Sequence, residues 1–429
     1  MTSIITHIQR LVNVREESHL LHGKEMSLLP CIENAYLIVE GDEIADYGKM
    51  ENLPASVKNH QELHSAAGGT VLPCWCDSHT HLVFAGSREN EFVDKINGLS
   101  YAQIFANGGG ILNSAKKLQE TSADDLFNLS WKRLDDLAKK GTGAVEIKSG
   151  YGLTVEGELK MLRVIKKLKE KSGMLIKASF LGAHAFPLEF HENHNGYIDL
   201  LVNELLPVIA AENLADFIDV FCEKGFFSVQ ETETICKAGA QVGLKPKLHV
   251  NQLNSIGGIE AGIKARAVSL DHLETLNEKD LRLLTQTCPS DMQEGGGSKV
   301  KPWTGVCTLL PTAAFFLRMA YPPARNLIDS GAAVSLASDF NPGSSPSGNM
   351  NLVVSMGCIQ MCMMPEEAIN AASINGAYAM ELGEITGSIT LGKKANLILT
   401  VPIPSLAYLP YAFGSNLIDR VMIRGEWKS

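Results

Sequence analysis

Apolar positions along the chain follow two rhythms, which change near residue 70 and again near residue 382. Up to residue 70 they form short alternating runs, from Ile4-Ile5 onward, then Tyr36-Leu37-Ile38-Val39, a Gly41-Asp42 turn and Ile44-Ala45-Asp46-Tyr47, the pattern of strands joined by tight turns. The end of the chain repeats it at Gly387-Ser388-Ile389, Gly392 to Leu399 and Val421-Met422-Ile423. Short hairpins are marginal alone, so the two ends most simply pair into one β-sandwich, a composite domain of residues 1–70 and 382–429.

Between them, residues 71–381 alternate strand signals with helix signals, which predicts a parallel sheet with crossover helices. Candidate strands end near His81, Lys148, His184, Cys222, His249, His272, Leu310 and Asp339. Eight βα units imply an α/β fold closed as a (β/α)8 TIM-type barrel, its centre filled by apolar side chains. A helix between the first two strands is well marked. Ser122 with Asp125 forms a capping box, Leu126, Leu129, Leu134 and Leu137 share a face, and Gly141 follows its end. Pro289 to Lys301 is polar and Gly-rich, and reads as a surface insertion before the seventh strand. No GKS or GKT follows it, so it is not read as a phosphate loop.

Chemistry concentrates where the strands end. His79 and His81 stand two apart after the apolar run Val71-Leu72-Pro73, so both point to one side of a strand and can chelate one cation. His249 ends the fifth strand and Asp339 the eighth. Three imidazoles and a carboxylate at the C-terminal mouth of a barrel make a catalytic metal site with room for water. His272 on the sixth strand is a further candidate, as ligand to a second metal or as a group that polarises a carbonyl. Cys74 and Cys76 lie beside the histidines, but their spacing in an apolar strand favours core packing.

Composition narrows the partners. A net charge of −10 over 429 residues gives no average attraction to nucleic acid or an acidic membrane. Neither a signal peptide nor a run of 18 apolar residues is evident, and the nine cysteines lack CxxC pairing, so a cytoplasmic setting with reduced thiols is expected.

Several stretches carry a resemblance: His79-Thr80-His81-Leu82-Val83-Phe84-Ala85-Gly86-Ser87-Arg88, Gly108-Gly109-Gly110-Ile111, Glu146-Ile147-Lys148-Ser149-Gly150-Tyr151-Gly152, Phe180-Leu181-Gly182-Ala183-His184, Leu248-His249-Val250-Asn251-Gln252, Asp271-His272-Leu273-Glu274 and Ser338-Asp339-Phe340-Asn341-Pro342-Gly343. With them nearly the whole chain resembles the amidohydrolase superfamily and, within it, the imidazolonepropionase family. The resemblance implies hydrolysis of 4-imidazolone-5-propanoate to N-formimidoyl-L-glutamate, the third step of histidine degradation. It also implies one zinc or iron ion per subunit held by His79, His81, His249 and Asp339, a small-molecule substrate, and a homodimer.

Under that reading Arg88 offers a fork for the propanoate, with an ion pair to Glu89 or Glu91 as its alternative use. Tyr151 packs on the ring or hydrogen-bonds the carboxylate, and His184 bonds the ring or its carbonyl. Asn341, Gly343 and Ser344 contact substrate or product. Some relatives carry glutamate at the position of Gln252, and glutamine cannot take a proton, so Gln252 is expected to bind and not to act as base. A bound cation lowers the pKa of water from about 15.7 to about 7. Asp339 would then move the proton to the leaving nitrogen, and His272 would stabilise the oxyanion. A purine or pyrimidine deaminase, or another cyclic-amide hydrolase, would use the same metal site without needing Arg88 or Tyr151. A catalytically silent assembly protein would be expected to have lost ligands. A second metal would require an acid or modified lysine near the fourth strand, where Glu223 and Lys224 fall just past the expected point.

Overall fold

The computed structural model describes residues 2–55, 63–99, 103, 109–285 and 303–428. The insertion read at 289–301 and Gly108 of the Gly-rich motif lie outside the described residues. Five strands open the chain: β1 (Thr2–Val12), β2 (Cys31–Glu40), β3 (Glu43–Lys49), β4 (Leu63–Ser65) and β5 (Thr70–Pro73). The middle carries β6 (Trp75–Thr80), β7 (Thr142–Lys148), β8 (Leu175–Ala183), β9 (Phe217–Cys222), β10 (Lys245–Val250), β11 (Ser269–His272), β12 (Val306–Leu309) and β13 (Val334–Leu336). Three strands close it: β14 (Leu397–Thr400), β15 (Ile418–Ile423) and β16 (Glu426–Lys428).

The two chain ends meet as expected, in one sheet ordered β16-β15-β14-β5-β1-β2-β3, with β4 paired to β1. The sheet curls over itself: Ile44 of β3 and Met422 of β15 share one apolar cluster with Ile5, Leu37 and Leu397. Main-chain bonds from Ile44 to Lys393 and from Gly425 to Ala395 close the fold-over. Through β5 the sheet runs past residue 70 to Pro73, directly ahead of the first barrel strand.

The eight middle strands pair in parallel and in chain order. Closure is made by a bridge between Thr80 and Phe340, by His81 N–H donating to Phe340 O at 2.9 Å, and by Asp77 accepting from Ser338 N and Oγ at 2.9 and 2.5 Å. Strand alternation explains the barrel's two faces. Val145, Ile147, Ile218, Val220, Leu248 and Leu270 belong to the apolar cluster shared with the surrounding helices. The alternate positions Glu146, Lys148, Asp219, Lys247 and Asp271 are fully buried and paired with one another. The expected apolar filling is therefore corrected, because beneath the mouth the barrel is packed by an ion cluster. Such charges are tolerated in a dry interior only when each has close partners.

The helix Ala123–Lys139 forms where its caps place it, with Ser122 Oγ accepting from Asp125 N. Leu126, Leu134 and Leu137 are buried, but Leu129 is 40% exposed and does not share their face.

Candidate metal centre and active site

At the C-terminal mouth of the barrel, His79, His81 and His249 offer ring nitrogens that all lie within 4.8 Å of one another. Asp339 reaches the same point, its Oδ1 being 3.4 Å from His81 Nε2 and 3.6 Å from His79 Nε2. Each side chain sits where its strand ends, so backbone pairing fixes it. Asp339 and His272 hold φ at 50° and 87°, a region costly for residues other than glycine and kept only where the surroundings over-determine it.

The ion cluster below orients the rings. His79 Nδ1 lies 2.7 Å from Asp271 Oδ2, and His249 Nδ1 lies 3.0 Å from Asp219 Oδ1. A carboxylate can only accept, so each Nδ1 carries its hydrogen and each Nε2 is left with a lone pair toward the mouth. Lys148 joins both carboxylates. It donates to Asp219 Oδ2 at 2.7 Å and Glu146 Oε1 at 2.6 Å, and stands 3.5 Å from Asp271 Oδ2.

Three buried ring nitrogens have no hydrogen-bond partner among the described residues: Nε2 of His79, Nε2 of His249 and Nδ1 of His81. Buried polar atoms are rarely left so. Burial, reinforced by neighbouring cations, holds all three imidazoles well below their usual pKa. They are therefore neutral donors, the state a metal ligand needs. Asp339 completes the set, its carboxyl pushed up to about 7 chiefly by burial, against the pull of His272 and Lys148. The donors fit a cation.

Above them opens a cavity of about 810 Å3 lined by His81, Arg88, Tyr151, His184, His249 and Gln252, with His272, Asp339, Asn341, Gly343 and Ser344. Every residue expected to bind or act lines it except His79, which forms the floor beneath. His272 is opposed by burial, yet Glu274, 3.3 Å from its Nδ1, outweighs that and raises its pKa. His184 goes the other way, to about 4, because burial dominates. Its Nδ1 faces Gly150 O at 3.2 Å, so Nε2 is an acceptor and suits a ring N–H better than a carbonyl.

On the rim, Arg88 takes up the ion pair that was its alternative use. Its Nε and Nη2 donate to Glu91 at 2.9 and 2.5 Å, and Glu91 also accepts from Gly110 N. Nη1 is left toward Gly343, where a Cβ would stand 2.2 Å from it. Asn341 is largely spent on its own loop: Oδ1 accepts from Gly343 N and Ser344 N, both at 2.8 Å, and Nδ2 donates to Asp339 O at 2.7 Å.

Two carboxylates hold rim loops, Glu158, which sequence reading passed over, and Glu223. Glu158 accepts from the N–H groups of Gly150, Gly152 and Leu153 around Tyr151. Glu223 accepts from Leu253 N, Asn254 N and Asn254 Nδ2 beside Gln252. Glu223 is thereby committed and Lys224 is exposed, so neither is placed to bridge a second metal. Cys74 and Cys76 are buried, the Cys76 thiol pushed up to about 12 by burial, as suits core packing. Asp219 and Asp271 were also passed over, although charges at alternate positions of otherwise apolar strands were the available signal.

Comparison with known proteins agrees with this geometry. The Amidohydrolase family model matches residues 130–428. Imidazolonepropionases of Flavobacterium johnsoniae and Christiangramia forsetii are 56% and 53% identical, each over 99% of this chain and 100% of the relative. A solved triazine hydrolase variant shares the fold, with a TM-score of 0.73 at 13% identity over 99% of this chain and 94% of that one.

Proposed function

The chain belongs to the amidohydrolase family and, within it, to the imidazolonepropionases, and from that premise we propose how its residues open the ring of 4-imidazolone-5-propanoate to give N-formimidoyl-L-glutamate, the third step of histidine degradation. The observation that carries the reading is one cavity whose floor has three neutral imidazoles with unused nitrogens and whose rim carries Arg88. A cation held by His79, His81, His249 and Asp339 would polarise water and lower its pKa toward neutrality.

The chain's own groups do the rest. Arg88 and Tyr151 hold the propanoate, and His184 Nε2 accepts a ring N–H, which fixes the lactam carbonyl over the floor. His272, biased toward its protonated form by Glu274, donates to the carbonyl oxygen as negative charge gathers on it. Asp339 takes the proton of the attacking water and delivers it to the ring nitrogen as the C–N bond breaks. The new C–O bond leaves a carboxylate, and the freed nitrogen becomes the terminal nitrogen of the formimidoyl group, which stays on the other ring nitrogen. Gln252, Asn341, Gly343 and Ser344 bound the substrate on the remaining sides.

The same reading extends to one zinc or iron ion per subunit, a homodimer and a cytoplasmic setting, with residues 1–70 and 382–429 as the composite domain and 71–381 as the catalytic barrel. Three imidazoles and a carboxylate suit either metal. The described cysteines are all free thiols, which fits a reducing compartment. No helix among the described residues is long and apolar enough to cross a membrane. Metal analysis of the purified protein, joined to an assay on enzymatically generated imidazolonepropanoate, tests the whole reading. A metal-loaded protein that leaves this compound unchanged would overturn it.

A further inference from the structure

Ring opening is read at the floor, but recognition needs a net positive charge at the rim, and Arg88 does not supply one alone. Two of its three guanidinium nitrogens are held by Glu91, so the pair is close to neutral as seen from the cavity. Lys95 stands on the same helix, Glu89–Ile96, and lines the same cavity. Among the described residues it has no carboxylate within ion-pair distance. Its ammonium makes, among the described residues, a single long hydrogen bond, 3.5 Å, to Gly343 O, and lies 5.6 Å from the centroid of the Phe316 ring. Burial, and after it the nearby Arg88, lower its pKa against the weaker pull of Glu91.

Gly343 is the point of convergence. Arg88 Nη1 approaches it so closely that a Cβ would collide, and Lys95 approaches its carbonyl from the helix. Two cationic donors thus meet beside a residue without a side chain, and all three line the cavity, where a planar anion can face both donors. We propose that Lys95 is a specificity-determining residue whose ammonium, with Arg88 Nη1, seats the carboxylate of a short carboxyalkyl substituent on the substrate beside Gly343. The division of labour is physical: Glu91 fixes the direction of the Arg88 donor, while Lys95 supplies the uncompensated charge.

This inference rests on the imidazolonepropionase reading, and the test separates the two. Turnover is measured for the parent, Lys95→Met and Lys95→Arg, on imidazolonepropanoate and on an analogue whose carboxylate is replaced by a carboxamide. Lys95→Met keeps the stem and removes the charge, so KM for imidazolonepropanoate should rise on the order of tenfold or more, the scale of a lost hydrogen bond to a charged group. The kcat should stay within about twofold, since the chemistry is at the floor. On the carboxamide the variant should match the parent, and Lys95→Arg should recover most of the lost affinity. Metal content should be the same in all three. An unchanged KM for Lys95→Met on a substrate that the parent does hydrolyse would overturn the role of Lys95, as would an equal loss on both compounds. A parent that hydrolyses neither compound would overturn the reading of the reaction itself.

Discussion

The floor and the rim of the cavity are built on different principles. On the floor, His79, His249 and Asp339 stand at strand ends, 0 to 3% exposed, and the two histidines are gripped from below by Asp271 and Asp219, which Lys148 ties together. On the rim, Arg88, Gln252 and Ser344 stand on loops or a short helix. The segments of Arg88, Tyr151 and Gln252 are held by single carboxylates, Glu91, Glu158 and Glu223 respectively, that collect donors from the adjoining chain. A buried ion cluster makes the floor rigid and hard to alter piecemeal. Rim segments, each with its own clasp, can change one at a time. The kind of reaction belongs to the floor and the choice of substrate to the rim, and experiments that perturb one should spare the other.

The largest effect should come from the floor. Asp339→Asn keeps the shape and removes the proton acceptor, so kcat on imidazolonepropanoate should fall about 10²–10⁴-fold, the usual worth of a general base. Binding of substrate should change far less. A metal-loaded variant that keeps more than about a tenth of parental turnover would move the base elsewhere. Chelation should likewise abolish turnover while far-UV circular dichroism stays close to that of the loaded enzyme, because the strands beneath are held by Lys148 and Lys247 irrespective of the metal.

Next comes Arg88→Met, which keeps stem packing and removes the Nη1 donor together with the pair to Glu91. Catalytic efficiency should drop about ten- to two-hundredfold, from loss of charge-assisted bonds worth roughly 1.5–3 kcal/mol. Glu91 would be left buried without its partner, so part of the loss should appear as a lower melting temperature. Metal content should be unaffected, and a variant that loses its metal would erase the proposed boundary between rim and floor.

The floor was the more legible region in sequence, for a physical reason. Strand period two and the parallel-sheet pattern by themselves put His79, His81, His249, His272 and Asp339 at strand ends. The same alternation runs through Glu146-Ile147-Lys148 and Lys247-Leu248-His249, yet single strands cannot show which charges face one another across a barrel. The cluster of Lys148 with Asp219 and Asp271 is a product of closure, since its members come from β7, β9 and β11. Rim residues such as Lys95 and Glu158 lie on helices whose polar positions look like solvated faces. What distinguishes them is where the helix docks, which local pattern does not encode. Leu129 is the converse case, an apolar residue counted into a stripe that the docked helix leaves outside.

Lys148→Met sharpens the account of the floor. Simple electrostatics would have a cation weaken metal binding, so its removal should tighten it. The geometry argues the reverse, because without Lys148 the carboxylates that orient His79 and His249 lose their common anchor and repel. Metal affinity should fall about 10–100-fold, as for other changes to groups that orient ligands, and be seen as faster loss of metal to a competing chelator. Tighter retention by a folded Lys148→Met protein would show that charge outweighs orientation here.

The smallest effect, and the finest probe of the boundary, belongs to Glu158→Gln. The carboxylate accepts from Gly152 N at 2.7 Å, Gly150 N at 3.1 Å and Leu153 N at 3.2 Å, across a loop whose Gly150 and Leu153 both hold positive φ. Burial pushes its carboxyl up against the pull of those donors, so the group is already costly to keep. Glutamine has nearly the same volume, but one of its terminal atoms is itself a donor and must face N–H groups that cannot accept. One or more loop bonds should be lost at about 1–3 kcal/mol. That is enough to loosen Leu153, which departs from ordinary backbone preference, and with it the buried Tyr151. The expected result is a rise of a few-fold in KM for imidazolonepropanoate, with kcat and metal content close to parental and a small drop in melting temperature. If Glu158→Gln instead lowers kcat as strongly as Asp339→Asn, the Tyr151 loop takes part in the chemistry and the line between floor and rim must be redrawn through His184, whose Nδ1 rests on the carbonyl of Gly150 in that same loop.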